Sequence, residues 1–167
     1  RCVIVGAPHT SGWDLAVLFI VMLVLDVPMH WMAKSDIFPG PLGWLLVRLG
    51  GIPVNRRERS NMVRRMAGEF KGKQSFRLVI CPEGTRQKAG NWKTGFYYIA
   101  REAGVPIVLG YPDWGRRVAG WEAIINPSGD IQADMRFIRD YYSHVRGRYA
   151  DQQGEIRLSV PGLDPAE

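Results

Sequence analysis

Two cysteines among 167 residues are too few for a disulfide framework. Cys2 and Cys81 each lie in an apolar run, Cys-Val-Ile-Val and Leu-Val-Ile-Cys. That pattern reads as buried free thiols in a reducing, cytoplasmic compartment. No Cys/His spacing of the four-ligand kind occurs, so no metal is expected. Long hydrophobic runs are also missing. The uncharged apolar-rich stretches 15–25 and 37–47 hold eleven residues each, against the roughly 20 that a bilayer-spanning helix needs. No signal peptide is visible, because the first residues read as a strand rather than a charged region followed by an apolar one. The chain starts with Arg1 and not Met, which suggests a truncated N-terminus and leaves room for an upstream anchor. Repeats, low-complexity stretches and linkers are lacking too, so residues 1–167 read as one domain. With 46% hydrophobic and 23% charged residues, the composition is that of a globular chain.

Positive charge is present in excess, and it is local. The net charge is +6. Residues 48–77 hold nine Lys/Arg against Glu58 and Glu69, a segment charge of +7, so the rest of the chain totals −1. A concentrated positive face favours an anionic partner. The basic charge alone lacks the aromatic-basic motifs of nucleic-acid binders, so nucleic acid is not the expected partner. An anionic membrane surface or a phosphorylated substrate fits better.

The hydrophobic pattern alternates between short and long runs. Strands are predicted over 2–7, 30–33, 77–81 and 105–110, with short extended pieces at 52–54 and 118–126. Pro53 bars residues 52–54 from a central ladder position. The run 13–25 is apolar all round and predicts a buried helix. Further helices are predicted over 42–49, 59–71, 94–103 and 130–145. Met62, Met66 and Phe70 recur every four residues in the 59–71 helix, with Ser60 or Asn61 as cap. Strands alternating with helices give an α/β fold with a largely parallel central sheet flanked by helices.

Three polar clusters follow predicted strands: Pro8–Asp14, Gly50–Arg57 and Cys81–Arg86. In open parallel sheets, ligands bind beyond the carboxyl ends of strands. Parallel strands would bring His9, Arg56 and Arg86 to one edge of the sheet. His9 and Asp14 are five residues apart, which on one helix is about 140° of rotation. They can touch only with His9 in the loop and Asp14 in the first helical turn. Asp14 on one ring nitrogen would leave the other as a base. Ser11-Gly12-Trp13-Asp14 equally matches a capping box, in which Asp14 merely caps a helix. Arg86, after Glu83-Gly84, suits bidentate phosphate binding or a structural contact with Glu83. Arg56 and Arg57 suit phosphate or a solvated surface. Trp13, Trp31, Trp44 and Trp92 read as acyl-groove or interfacial aromatics, or as core. His30 and His144 read as structural.

Taken together, these blocks resemble the glycerolipid acyltransferase family, which includes the lysophosphatidate acyltransferases. His9–Asp14 matches its His-x4-Asp motif, and Gly51–Arg56 is similar to its Gly-rich approach to an Arg. Pro82–Arg86 matches Pro-Glu-Gly-Thr-Arg in full, and Val105–Val108 matches the apolar Val-Pro-Ile-Val block. The second motif carries Asn55 where many members have an Asp, and the chain is short, like a compact bacterial branch.

The resemblance implies acyl transfer from a thioester, acyl-CoA or acyl carrier protein, to a hydroxyl. No further cofactor is implied. It makes His9 the base and Asp14 its orienting partner. It gives Arg56, Glu83, Gly84, Thr85 and Arg86 to the acceptor, a lysophospholipid (1-acylglycerol 3-phosphate among them) or glycerol phosphate. A peripheral position on the inner face of the membrane, held through residues 48–77, follows from the same reading. The competing readings are a catalytically silent lipid- or phosphate-binding module and a thioester hydrolase.

Overall fold

The apolar runs form strands, and the order in which they pair decides where the polar clusters meet. The computed structural model describes residues 1–55 and 59–158. β1 (Cys2–Gly6) lies inside the sheet, parallel to β4 (Arg77–Ile80) on one side and β5 (Ile107–Asp113) on the other. β2 (His30–Lys34) pairs with β4, and β3 (Gly51–Val54) pairs with β2, both parallel. β6 (Val118–Ile125) returns antiparallel along β5. The sheet order is β3-β2-β4-β1-β5-β6, so the first five strands are parallel. β3 is an edge strand, the position that Pro53 permits.

Alternation along β1 separates two cores. Val3 and Val5 point into the larger one, built with Leu78, Ile107 and Leu109. Onto this face pack α3 (Arg59–Gly68), α4 (Gly95–Ala103) and α5 (Ile131–Tyr142), through Met66, Phe96, Tyr97, Met135 and Ile138. Met66 and the following Phe70 are fully buried, as their spacing predicts, and α4 stops at Gly104. The side chain of Ser60 lies outside the described residues. Tyr142, also buried, places its hydroxyl 2.9 and 2.8 Å from the carbonyl oxygens of Val5 and Gly110, tying β1 to β5 where their pairing ends.

Ile4 points to the opposite face, which α1 (Trp13–Val24) and α2 (Gly40–Arg48) cover. Here the expectation of a buried helix fails. No residue of α1 is fully buried, and Ile20, Leu23 and Val24 are 59%, 83% and 72% exposed. The helix forms a single outer layer: Leu15, Leu18, Phe19 and Met22 meet the sheet, and the other side meets solvent. A run that is apolar all round carries no stripe to say which side is which. α2 also exposes apolar side chains, Leu42 and Trp44 among them. The four tryptophans singled out in the sequence, of six in the chain, divide evenly, with Trp31 and Trp92 in the core and Trp13 and Trp44 exposed. Cys2 and Cys81 are free, as expected, but only partly buried. His30 packs against Phe76 with ring centroids 4.4 Å apart and the planes tilted by 36°, a packing contact. No helix of the described residues is long and apolar enough to cross a membrane.

Candidate active site

β1 ends at Gly6, and the loop beyond it carries His9 out to the start of α1. His9 Nδ1 lies 3.0 Å from Asp14 Oδ2. His9 is in the loop and Asp14 in the first helical turn, the one placement their spacing allows. Asp14 Oδ2 also accepts the backbone N–H of Ser11 at 2.9 Å, and Ser11 Oγ accepts that of Trp13 at 3.2 Å. The contact of the dyad reading and the Ser11 N–H contact of the capping-box reading coexist on Asp14 Oδ2, because one carboxylate oxygen has lone pairs for two donors. The other oxygen, Oδ1, accepts Trp114 Nε1–H at 2.8 Å. Burial pushes the Asp14 carboxyl upward, but the hydrogen bonds from His9, Ser11 and Trp114 outweigh it and hold the group below its ordinary range. Asp14 is thus a carboxylate at neutral pH. As an acceptor only, it takes the hydrogen of its contact with His9 Nδ1. The His9 side chain is 24% exposed and that of Asp14 only 8%, so the imidazole reaches solvent and its partner does not.

The turn after β4 meets this loop from the adjacent strand. Glu83 Oε1 accepts the backbone N–H of His9 at 3.0 Å. Glu83 Oε2 is buried without a hydrogen-bond partner among the described residues, and burial raises the carboxyl above its ordinary range. Burial of its sulfur, with the Glu83 and Asp14 carboxylates nearby, pushes the Cys81 thiol up as well. Gly84 adopts φ +64°, the left-handed region that favours glycine, and Lys93 lies over it. Thr85 Oγ1 accepts the N–H of Gln87 at 3.2 Å. Arg86 Nη1 packs so closely over Gly12 that a Cβ there would lie 3.0 Å from it. His9, Asp14, Glu83, Gly84, Thr85 and Arg86 thus form one cluster beyond the ends of β1 and β4. Arg56 and Arg57 lie outside the described residues. The end of β3, which leads to them, stands three strand spacings from β1, about 14 Å.

A cavity of about 680 Å³ opens beside the cluster, within the usual size range for ligand sites. Trp13, Leu15, Ala16 and Phe19 give it an apolar wall along α1, and Ser11, Arg86, Tyr149 and Gln152 give it polar edges. With its amide oriented so that the nitrogen faces them, Gln152 donates to the carbonyl oxygens of Arg86 (2.6 Å) and Thr10 (3.1 Å). Tyr149 N–H donates to Thr10 Oγ1 at 3.2 Å. Among the described residues, no three His, Cys, Asp or Glu side chains are grouped so that they could hold a metal ion.

A family model for acyltransferases matches residues 1–109, about two thirds of the chain. The chain belongs to the acyltransferase family. A search of curated proteins and a search of solved structures each returned no match. The matched part of this acyltransferase-family chain runs from β1 into β5 and contains both the His9–Asp14 loop and the Glu83–Arg86 turn. Trp114, Tyr149 and Gln152 touch the same loop from beyond the matched residues, and the sequence motifs do not include them. One signal could have found Trp114. It follows β5, the other parallel neighbour of β1, so the rule that places ligands beyond strand ends puts it beside His9 as well.

Proposed function

We propose that this protein is an O-acyltransferase that moves an acyl group from acyl-CoA or an acyl carrier protein to the hydroxyl of a phosphorylated lipid precursor. The observation that carries the reading is the 3.0 Å contact between His9 Nδ1 and the buried Asp14 carboxylate, with the Arg86 guanidinium against the same loop. Nε2 takes the proton of the acceptor hydroxyl as its oxygen attacks the thioester carbonyl carbon. The tetrahedral intermediate collapses, the C–S bond breaks, and the leaving thiolate takes the proton back from Nε2. Ester and free thiol are the products, and His9 returns to its starting state. Asp14 stabilises the imidazolium between the two transfers.

At the start of α1 the backbone N–H groups of Ser11, Trp13 and Asp14 are engaged within the protein. We assign the Gly12 N–H, at the cavity wall, to the developing oxyanion. The acyl chain lies along Trp13, Leu15 and Phe19. Arg86 binds the acceptor phosphate through its planar fork, with Arg56 a second cation on the family pattern. A lysophospholipid or glycerol phosphate has the required phosphate and hydroxyl. Glu83 acts here as a brace for the His9 loop. The basic segment 48–77 and the exposed apolar sides of α1 and α2 together suit a peripheral position on the cytoplasmic face of a membrane.

Free-thiol release tests the reading. Acyl-CoA and acyl-acyl carrier protein are offered with glycerol 3-phosphate, lysophospholipids and non-phosphorylated alcohols. Release that depends on a phosphorylated acceptor, and that falls at least ~10²-fold in His9→Ala, is expected. Release that is equal without any acceptor identifies a hydrolase. No release with any pair overturns the enzyme reading.

A further inference from the structure

Asp14 has one hydrogen bond that neither the dyad nor the helix cap explains. Trp114 Nε1 donates to Asp14 Oδ1 at 2.8 Å, across 100 residues of chain. An indole N–H can only donate, so it recognises an acceptor and nothing else. The torsion that turns a carboxylate about its own axis is soft, with a broad energy well. One oxygen bonded to His9 and Ser11 does not fix that plane by itself. A second donor on the other oxygen does.

Trp114 is itself built into place. It opens the turn between β5 and β6, where buried Asp113 accepts the backbone N–H and the Nε–H of Arg116 at 2.9 and 2.8 Å. Its own backbone N–H donates to the Arg146 carbonyl at 2.9 Å. The Arg148 guanidinium lies 4.7 Å from the centre of its ring. Trp114 is not among the residues that line the cavity, so its link to chemistry runs through Asp14.

We propose that Trp114 is a positioning residue: its indole N–H fixes the Asp14 carboxylate so that Oδ2 faces His9 Nδ1. The inference rests on the proposed His9–Asp14 chemistry, and its test separates the two. Thiol release from palmitoyl-CoA, with glycerol 3-phosphate and 1-acylglycerol 3-phosphate as acceptors, is compared in wild type, Trp114→Phe, Asp14→Ala and the double variant. Phe keeps an aromatic ring and removes the donor. Trp114→Phe lowers kcat about ten-fold and leaves both KM values unchanged, the size of one lost bond to a charged group. In the Asp14→Ala background the same change has no further effect, because the two residues act as a unit. Wild-type kcat in Trp114→Phe, or an equal fall in both backgrounds, overturns the proposal. Wild-type turnover in His9→Ala overturns the parent reading instead. A readout on the wild-type chain needs no folded variant: the Trp114 indole N–H exchanges with solvent far more slowly than those of exposed Trp13 and Trp44. Equal exchange rates overturn the proposal whatever the activity.

Discussion

Asp14→Asn removes one charge and keeps the shape of the side chain. The carboxylate takes three N–H donors, two on Oδ2 (His9 Nδ1 and Ser11 N) and one on Oδ1 (Trp114 Nε1). Asparagine has one carbonyl oxygen. Turned to replace Oδ2, that oxygen keeps His9 and Ser11 and sets an NH₂ group against the Trp114 N–H. Turned the other way, it keeps Trp114 and opposes two donors. The first orientation loses fewer bonds and prevails, at a cost of about 1.5–3 kcal/mol of stability for one lost bond to a charged group. The catalytic cost is separate. In the transition state His9 becomes positive beside a neutral amide instead of a carboxylate. Two unit charges about 4 Å apart gain roughly 4 kcal/mol at an effective dielectric constant near 20. His9 is 24% exposed, so solvent screens part of this. About 3–4 kcal/mol remains, and kcat falls roughly 10²- to 10³-fold. Thiol release measures the second effect and thermal melting the first. The pH dependence has a fixed sign. The Asp14 carboxyl is held below its ordinary value of 3.8, so its contribution is present above that value and is lost as the pH falls through the lower folded value. The gap in melting temperature is therefore full at pH 7 and closes in strong acid. A cooperatively melting variant with wild-type kcat, or a gap that persists in acid, refutes the reasoning.

Three further outcomes follow from the same geometry. Glu83→Gln keeps an acceptor for the His9 N–H and removes a carboxyl whose ionisation burial opposes. The wild type loses stability as the pH rises from 4.5 through the raised value, and the Gln variant does not. The variant's melting temperature therefore exceeds that of the wild type at pH 7 and matches it below pH 4.5; a gap independent of pH contradicts this. Gly84→Ala puts a side chain at φ +64° and displaces the end of the Lys93 side chain, costing about 1–2 kcal/mol in urea unfolding; an unchanged midpoint would show that the turn has another conformation. Leu23→Asp, on the most exposed apolar position of α1, weakens sedimentation with anionic vesicles and leaves the melting temperature nearly unchanged; undiminished sedimentation excludes α1 from the contact.

What could be read before folding and what could not divide along physical lines. The five parallel strands were legible because each is a short run with a Gly or Pro at or within two residues of one end, and Pro53 even announced the edge position of β3. The exposure of α1 was not legible. Periodicity reports a contrast between faces, and residues 15–25 have none. The covering of that sheet face by a single layer depends on what packs outside it, and local sequence holds no record of that. Glu83 shows a subtler limit. Its place in a matched motif points to the acceptor, whereas its carboxylate turns inward to the His9 backbone. A motif fixes which residues share a site and not which way each one faces.

Asp14 carries that limit into the chemistry. The capping box and the dyad stood as rivals in the sequence because each was counted as a claim on the whole carboxylate. The structure divides the carboxylate by lone pairs, with Ser11 and His9 on Oδ2 and Trp114 on Oδ1. The two contacts are then compatible. The Ser11 N–H, just before α1, holds the same oxygen that faces His9, and the plane of the group is left to the donor on Oδ1. Local spacing could supply two of the three donors, five and three residues away. The third depends on β5 pairing next to β1, a long-range register that no window around Asp14 contains. The part of the site most open to discovery is therefore the part delivered by the last parallel strand, beyond the residues by which the family is recognised.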